Sequence, residues 1–470
     1  MIRPTSWSGY LWRSYGRMLY PLADREGHWG ISARLAKFAD RERLSLEQNL
    51  ELQWQAVLRV LKHAYETTPF YARAFDEASL LPSKDFGPAD LRKLPPLTRT
   101  DLRDHFEQLW SRKFSIDELR SSATGGTTDT PVAFRRDRTS IREKIAVQLR
   151  FNHWAGFEPG DKVMLLWGAQ SDFPQKPSWI WQVRQRYGFR RCWMPTSTLN
   201  EQVLEFWRQS LNEFRPQIIY AYPTPLAIFC EYLAQCGRDY HLPVSVICTA
   251  EPLYDRQRRA IKDVLQCDVF EHYGSRDFGM VGGECEMHNG LHLNPHSAYV
   301  ELLPVPGAQV EDLHEILVTD LLNYGMPLIR YRINDCAVLS TEKCACGRGY
   351  PLIKRIAGRT TDVFRLANGD LVPGVALTNR VLKVCRGLEK IQVVQEMLDE
   401  FRVRYVPGPG FSPIDLDHLR VNLRKFFPPE IRWKFDRVQE IERERSGKTR
   451  FAISRIGAAG MAELKTPAQK

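Results

Sequence analysis

No run of apolar residues in this sequence approaches the roughly 20 that a membrane-spanning helix needs, so no transmembrane segment is expected. The opening residues, MIRPTSWSGYLWRSYGRMLY, lack an apolar signal core followed by a small-residue cleavage site, and a cytoplasmic protein is expected. Internal repeats and low-complexity tracts are absent as well. Nor is there a long basic block. The 66 Lys+Arg exceed the 56 Asp+Glu by a net charge of +10, but the charges are scattered, and no nucleic-acid partner is expected. A cationic surplus suits polyanionic substrates and serves solubility equally well. What the chain does have is an ordinary globular composition, 43% hydrophobic and 26% charged. Its 470 residues exceed one compact core, and two or three domains are expected.

The patterning divides the chain. Trp7, Leu11, Tyr15 and Leu19 recur at helical spacing with Arg3, Arg13 and Arg17 between them. That fits a helix on a membrane surface, and also the commoner case, a helix packing its aromatic stripe on the protein body. In SLEQNLELQWQAVLRVLKHAYE (45–66), a Ser45–Gln48 capping box opens a helix with Leu46, Leu50, Trp54, Leu61 and Tyr65 on one stripe. LPPLTRTDLRDHFEQLW follows, with a proline stop, Thr98 or Thr100 as cap, and another amphipathic helix. From about 140 to 330, helical patterns alternate with the apolar runs KVMLLWG, QIIYAY, VSVICTAE and DVFEHYG. Such alternation predicts an α/β domain with buried strands, whose C-terminal ends are where ligands sit.

The last hundred residues change character. KIQVVQEM, EFRVRYVPG and IRWKFDRVQEI read as strands, with a helix in SPIDLDHLRVNLRKFF between the second and third. This β-β-α-β order is a compact α+β unit with its own core. The expected organisation is a large α/β domain, made of a helical part (1–120) and an α/β core (121–358), followed by a small mobile α+β domain (359–470).

The loop SSATGGTTDTPVAF (121–134) has Ser or Thr at five of its first eight positions. Thr124, Gly125, Gly126, Thr127 and Thr128 can turn several N–H and O–H donors on one oxyanion cluster, usually phosphate; a solvated linker has the same composition. Four further segments lean toward phosphate. HYGSRDFG (272–279) ends an apolar strand with Tyr273 and Gly274, then sets Asp277 where a carboxylate could hold Mg²⁺ bridging phosphates. VTDLLNYGMPLIRYRINDC runs from Asp320 into a strand and ends at Asp335, able to accept two ribose hydroxyls. AGRTTD supplies Arg359 for bidentate contact, and CTAEPL places Glu251 after a strand. ERSGKTR contains GKT but no Walker A motif, because Glu442 stands where that motif needs Gly. It is a Ser-Gly loop presenting Lys448 between Arg445 and Arg450. Such a lysine is a solvated charge unless the small domain swings it against a phosphate.

Ten cysteines in a cytosolic chain are free thiols or metal ligands rather than disulfides. Cys192, Cys230, Cys236, Cys248, Cys267 and Cys385 sit singly in apolar patterns and are expected in the core. Cys285, His292, Cys344 and Cys346, from ECEMHNGLH and CACGRG, could make a tetrahedral structural zinc site, the Gly after Cys346 suiting a tight knuckle. His288 is a rival ligand, and an ordinary turn with surface thiols is the alternative.

Taken in order, HAYETTPFYARAF, LPPLTRTDLR, ATGGTTDTP, TAEPL, YGSRDFG, GLHLN, NYGMPLIRYRIND, CACGRGYP, AGRTTDVF and RSGKTRFAISR resemble the landmarks of the adenylate-forming superfamily, in its phenylacetate–CoA ligase and CapK (capsular-polysaccharide) branch. The likeness covers nearly the whole chain; singly the motifs are weak, and as an ordered set they are specific. The resemblance implies that the 124–128 loop holds the β- and γ-phosphates of ATP, with Glu251 and Gly274 also in the ATP site. Tyr273 packs on adenine, Asp277 holds Mg²⁺, Asp335 grips the ribose and Arg359 supports the nucleotide. Lys448 stabilises the transition state for adenylate formation. The implied reaction activates a small-molecule carboxylic acid as an acyl-adenylate and passes it to an acceptor, CoA first among them. Two other readings stand beside it: an adenylyl-transferring or non-CoA ligase of polysaccharide or coenzyme metabolism, and a catalytically degenerate nucleotide-binding protein. Against the family pattern, Asp129 replaces Gly, Thr130 replaces Lys, Asn334 replaces Gly, Asp277 replaces Glu and Thr361 replaces an acidic hinge residue. Asp129 favours the degenerate reading; Asp335, Arg359 and Lys448 argue against it.

Overall fold

The computed structural model describes residues 31–123, 132–167, 178–196, 199–305, 313–359, 363–367, 371–373, 387–408, 410–424, 427–441 and 451–456. Helices dominate up to residue 118, among them Ile31–Arg41, Leu46–Thr67 and Pro69–Glu77. The capping box forms as expected: the Gln48 N–H donates to Ser45 Oγ (3.2 Å) and the Ser45 N–H to Gln48 Oε1 (2.9 Å). Thr98, not Thr100, caps the helix Arg99–Asp104, accepting from the Asp101 N–H at 3.2 Å.

Next comes a two-stranded antiparallel ribbon, β1 (Leu119–Ala123) and β2 (Ala133–Asp137), with Ala123 opposite Ala133. The connection between them is the Ser/Thr/Gly loop. The helix Arg138–Trp154 follows, its first turn capped by Asp137, whose side chain accepts from the Ser140 N–H.

One 11-stranded sheet then carries the large domain. Its parallel half comprises β3 (Val163–Trp167), β4 (Arg191–Pro195), β5 (Ile218–Ala221), β6 (Ser245–Thr249) and β7 (Asp268–Ser275), in the order β4-β3-β5-β6-β7. These are the apolar runs, and β5 and β6 are buried along their whole length. The helices Pro223–Gln235 and Asp255–Leu265 bring Phe229, Leu233, Ile261 and Leu265 into one buried cluster with Ile219 and Val246 of the sheet. Beyond β7 the sheet turns antiparallel through β8 (Gly279–Gly283), β9 (Leu291–Leu293), β10 (Ala298–Pro304), β11 (Leu313–Asp320), β12 (Tyr331–Leu339) and β13 (Leu352–Arg359). This half departs from the simple α/β alternation, because only tight turns, too short for a crossover helix, join β7 to β8. Asp335 also departs from expectation. It lies inside β12, not at the strand's end, and Asn334 before it has φ +63°. Glycine is at home in that left-handed region and asparagine is among the few side chains that tolerate it, which accounts for Asn here.

The small α+β domain is present. A ribbon of β14 (Val363–Arg365) and β15 (Leu371–Pro373) is followed by β16 (Leu388–Met397), β17 (Glu400–Pro407), the helix Pro413–Arg424, β18 (Arg432–Arg437) and β19 (Ala452–Ser454). The sheet order is β18-β17-β16-β19. Phe364, Leu366, Val393, Phe401, Leu419 and Leu423 share a separate buried cluster. The expected β-β-α-β order holds and gains β19, which pairs parallel to β16. Cys230, Cys248 and Cys267 are buried as expected, but Cys236, at the end of the helix Pro223–Gln235, is exposed.

Candidate active site

The residues proposed from sequence converge where the parallel half meets the antiparallel half. Tyr273, near the end of β7, donates its hydroxyl to Asp335 Oδ2 on β12 at 2.9 Å. Asp335 in turn stands opposite Arg359 in the β12–β13 register. β7 and β12 are not neighbours in the sheet, being separated by β13, β9 and β8, so the Tyr273–Asp335 hydrogen bond spans non-adjacent strands, while Asp335 and Arg359 are joined by register. Gly274 is held there by packing: an added Cβ would collide with the Gly279 carbonyl as β8 folds back on β7.

Glu251 follows β6 after Ala250, whose φ of +71° is uncommon for a residue with a side chain. Its Oε2 accepts from the Thr224 N–H at 3.2 Å, at the first turn of the helix Pro223–Gln235, where a carboxylate is favoured by the orphan N–H groups.

Asp277 sits in the turn between β7 and β8. It is 8% exposed, and its Oδ1 has no hydrogen-bond partner in the protein. Burial pushes its carboxyl up to about 6, against the pull of Lys144, Arg99, Arg136 and Arg276. Lys144 Nζ donates to the Asp277 carbonyl (2.9 Å) and pairs with Asp320 Oδ2 (2.6 Å), all buried. An orphaned carboxylate oxygen fits the way Mg²⁺ is usually held, by one or two carboxylates with phosphates completing its shell. Lys144, Arg136 and Arg276 were not read from the sequence as site residues. The available signal was the pair Arg135–Arg136 in the short strand after the loop. Thr124, Gly125, Gly126, Thr127, Thr128, Asp129, Thr130, Thr361, Lys448 and the aromatic N-terminal helix lie outside the described residues, and of Arg359 only the backbone is described.

Some distance along the same sheet, Cys285, His292, Cys344 and Cys346 place four potential ligand atoms within 4.8 Å of one another. The Sγ atoms of Cys285 and Cys344 are 3.5 Å apart, as are Cys346 Sγ and His292 Nε2. The Met287 N–H points at Cys285 Sγ and the Arg348 N–H at Cys346 Sγ, each at 3.5 Å. Gly347, with φ +77°, makes the second of these turns. Trp154 packs edge-on against the His292 ring, and Arg348 lies over Trp154 while pairing with Glu286. Three sulfurs and one imidazole nitrogen at these separations fit a tetrahedral Zn²⁺, with backbone N–H groups aimed at two of the sulfurs. His288 is not part of the group; its Nδ1 pairs with Glu284.

A large α/β domain followed by a small α+β domain is a fold this chain shares with solved CoA ligases. In the crystal structure of 2-hydroxyisobutyryl-CoA ligase in the postadenylation state, 93% of the chain superposes on 90% of this one, with a TM-score of 0.71 at 19% identity. The curated proteins it is similar to are those the motifs pointed to. The chain is 24% identical to the protein CapK of Staphylococcus aureus over 86% of its own length and 89% of CapK. It is 27% identical to the phenylacetate-coenzyme A ligase of Thermus thermophilus over 71% of this chain and 75% of the ligase. Residues 365–455 match the CapK C-terminal domain. The resemblance to this branch is borne out. Among the described residues no helix is long and apolar enough to cross a membrane.

Proposed function

We propose that this chain is an ATP-dependent, AMP-forming ligase that activates a carboxylic acid as an acyl-adenylate and hands it to an acceptor, with CoA the first candidate. The observation that carries the reading is the meeting of Tyr273, Asp335 and the Arg359 backbone position beside a buried Asp277 with an unpartnered oxygen. The similarity to CoA ligases and to CapK supports it.

A carboxylate is a poor electrophile, and attack of its oxygen on the α-phosphate gives it a good leaving group. Catalysis of such a step is mainly positioning and charge stabilisation. Asp335 would hold the ribose hydroxyls, Tyr273 would orient Asp335 and face the base, and Arg359 would support the nucleotide. Mg²⁺, when bound at Asp277, would neutralise phosphate charge. Lys448, on the small domain, would approach the α-phosphate. Residues 359–470 would be the mobile unit that brings it there. The Cys285–His292–Cys344–Cys346 group would hold a structural zinc.

Exchange of labelled pyrophosphate into ATP, run across a panel of carboxylic acids, tests the reading. Exchange that depends on one class of acid is the expected result. A protein that binds ATP yet supports exchange with none of the acids would be the degenerate nucleotide-binding form instead.

A further inference from the structure

A cavity of about 390 Å³, lined by none of Tyr273, Asp277 or Asp335, lies between the helix Ile31–Arg41, the first turns of the helix Arg138–Trp154 and the turn at residues 321–324. Its volume is that of an ordinary small-ligand pocket. Phe38, Phe114, Leu321 and Tyr324 make one side of it apolar. The other side is charged, and its charges are unevenly matched. Asp137 is fully engaged: Oδ1 accepts from the Ser140 N–H, and Oδ2 from the N–H groups of Tyr324 and Gly325. Glu143 is paired with Arg34 at 2.8 Å. The two cations are not so provided for. Among the described residues Lys37 pairs with no acid, and the Arg41 side chain makes a single hydrogen bond, from Nη1 to His296 Nδ1 at 3.2 Å. Arg59 stands near Arg41 with like charge. A guanidinium only donates, so Nδ1 accepts, and the neutral imidazole carries its hydrogen on Nε2. Burial, aided by the charges of Arg41 and Lys37, holds that ring down to about 3 and so keeps it neutral. His296 is 5% exposed, and its Nε2 has no partner among the described residues. The cavity lining thus holds cations and a buried donor for which the protein supplies no acceptor.

We infer that this cavity is a second binding site, separate from the candidate active site, for a small organic carboxylate with an apolar body. Arg41, oriented by His296, and Lys37 take the carboxylate, and the His296 N–H is the buried donor that it satisfies. The aromatic and leucine side chains cover the rest of the ligand. A neutral ligand would leave both cations unmatched, and a bare inorganic anion would leave the apolar side uncovered.

Fluorine NMR titration of the full-length protein with para-fluorobenzoate tests the inference, with para-fluorobenzamide as the uncharged counterpart. The wild type should bind the acid at least ~10-fold more tightly than the amide. Arg41→Met should weaken the acid by at least ~10-fold, the loss of one charge-assisted pair, and Lys37→Met by about threefold, because Lys37 is exposed. Thr139→Trp, at an exposed lining position, should fill the cavity and remove the same binding event. Arg41→Lys, which keeps the charge and loses the fork, should fall between wild type and Arg41→Met, and it serves where the Met variant melts early. Acid binding left unchanged by Arg41→Met or by Thr139→Trp puts the acid elsewhere, as a substrate would be, and overturns the inference while the ligase reading stands. An amide bound as tightly as the acid overturns it too, as does a wild type that binds no acid.

Discussion

The antiparallel half of the large sheet borders two polar clusters, and they differ in how much of their bonding the protein completes on its own. Around Cys285, His292, Cys344 and Cys346, the turns supply N–H groups to two of the sulfurs and an aromatic wall to the histidine. Only a cation at the centre would be wanting. Around Tyr273, Asp335 and Asp277, Tyr273 donates to Asp335, while Oδ1 of the buried Asp277 carboxylate has no hydrogen-bond partner in the protein. The first arrangement is built to hold still. The second leaves one buried carboxylate oxygen unmatched, as sites do when a ligand supplies the missing partner. Perturbing the first should therefore move stability, and perturbing the second should move binding and rate.

The largest effect is expected at the metal cluster. Elemental analysis should find about one zinc per chain, and Cys344→Ser or chelation should lower stability by at least ~3 kcal/mol, roughly 6–12 °C in melting temperature. A metal-free preparation with an unchanged melting temperature would erase the distinction between the two clusters. Next is Lys448→Ala, which should cut adenylate formation by at least ~10² while leaving melting temperature and ATP affinity nearly as they were. A preformed acyl-adenylate should still be converted, because in the proposed mechanism the small domain turns away for that step. Equal losses in both half-reactions would assign Lys448 to folding. Asp335→Ala should weaken ATP by about 10–100-fold, the loss of roughly one charge-assisted bond to ribose at ~1.5–3 kcal/mol. Unchanged affinity would put the nucleotide elsewhere.

The smallest effect concerns His272, which belongs to neither cluster. Burial holds its imidazole down to about 3, and neither ring nitrogen has a partner. A histidine kept neutral in the fold binds fewer protons than its unfolded counterpart below the ordinary value of about 6.5, so stability falls as pH falls through that value. Between pH 7 and pH 5 the loss should be about 2 kcal/mol, and His272→Met should show a shallower decline in denaturant midpoint over the same range. Parallel declines for the two proteins would move the acid sensitivity to another group.

Much of this was legible in the sequence where the signal is local. The Ser45–Gln48 box and the apolar runs of β3, β5, β6 and β7 are written in adjacent residues, and they fold as read. The metal cluster was legible because cysteine pairs and histidine are rare types, but the exclusion of His288 depends on its contact with Glu284, which no spacing reveals. β19 escaped notice because three residues are too few for a period to appear, and its pairing with β16 is long-range. The position of Asp335 inside a strand was missed because the left-handed Asn334 breaks the alternation there. Arg136 and Arg276 went unassigned for a simpler reason. A charge in sequence reads as a solvated surface, and only the closure of the β1–β2 ribbon against the β7–β8 turn puts these two together.

The position of β13 bears on how the chain assembles. It lies between β12, its neighbour in sequence, and β9, with Ile353 opposite Leu291. During synthesis β9 must wait, edge unsatisfied, until some sixty further residues have emerged and folded back, a closure that is slow and leaves an open strand edge meanwhile. Cys285 and Cys344, 59 residues apart, lie close to the two ends of that same span. A cation captured by both would tie off the loop and pay its closure entropy once, ahead of the strand pairing. The knuckle would then act as a clasp on the nascent chain, setting the order in which the halves of the sheet are joined.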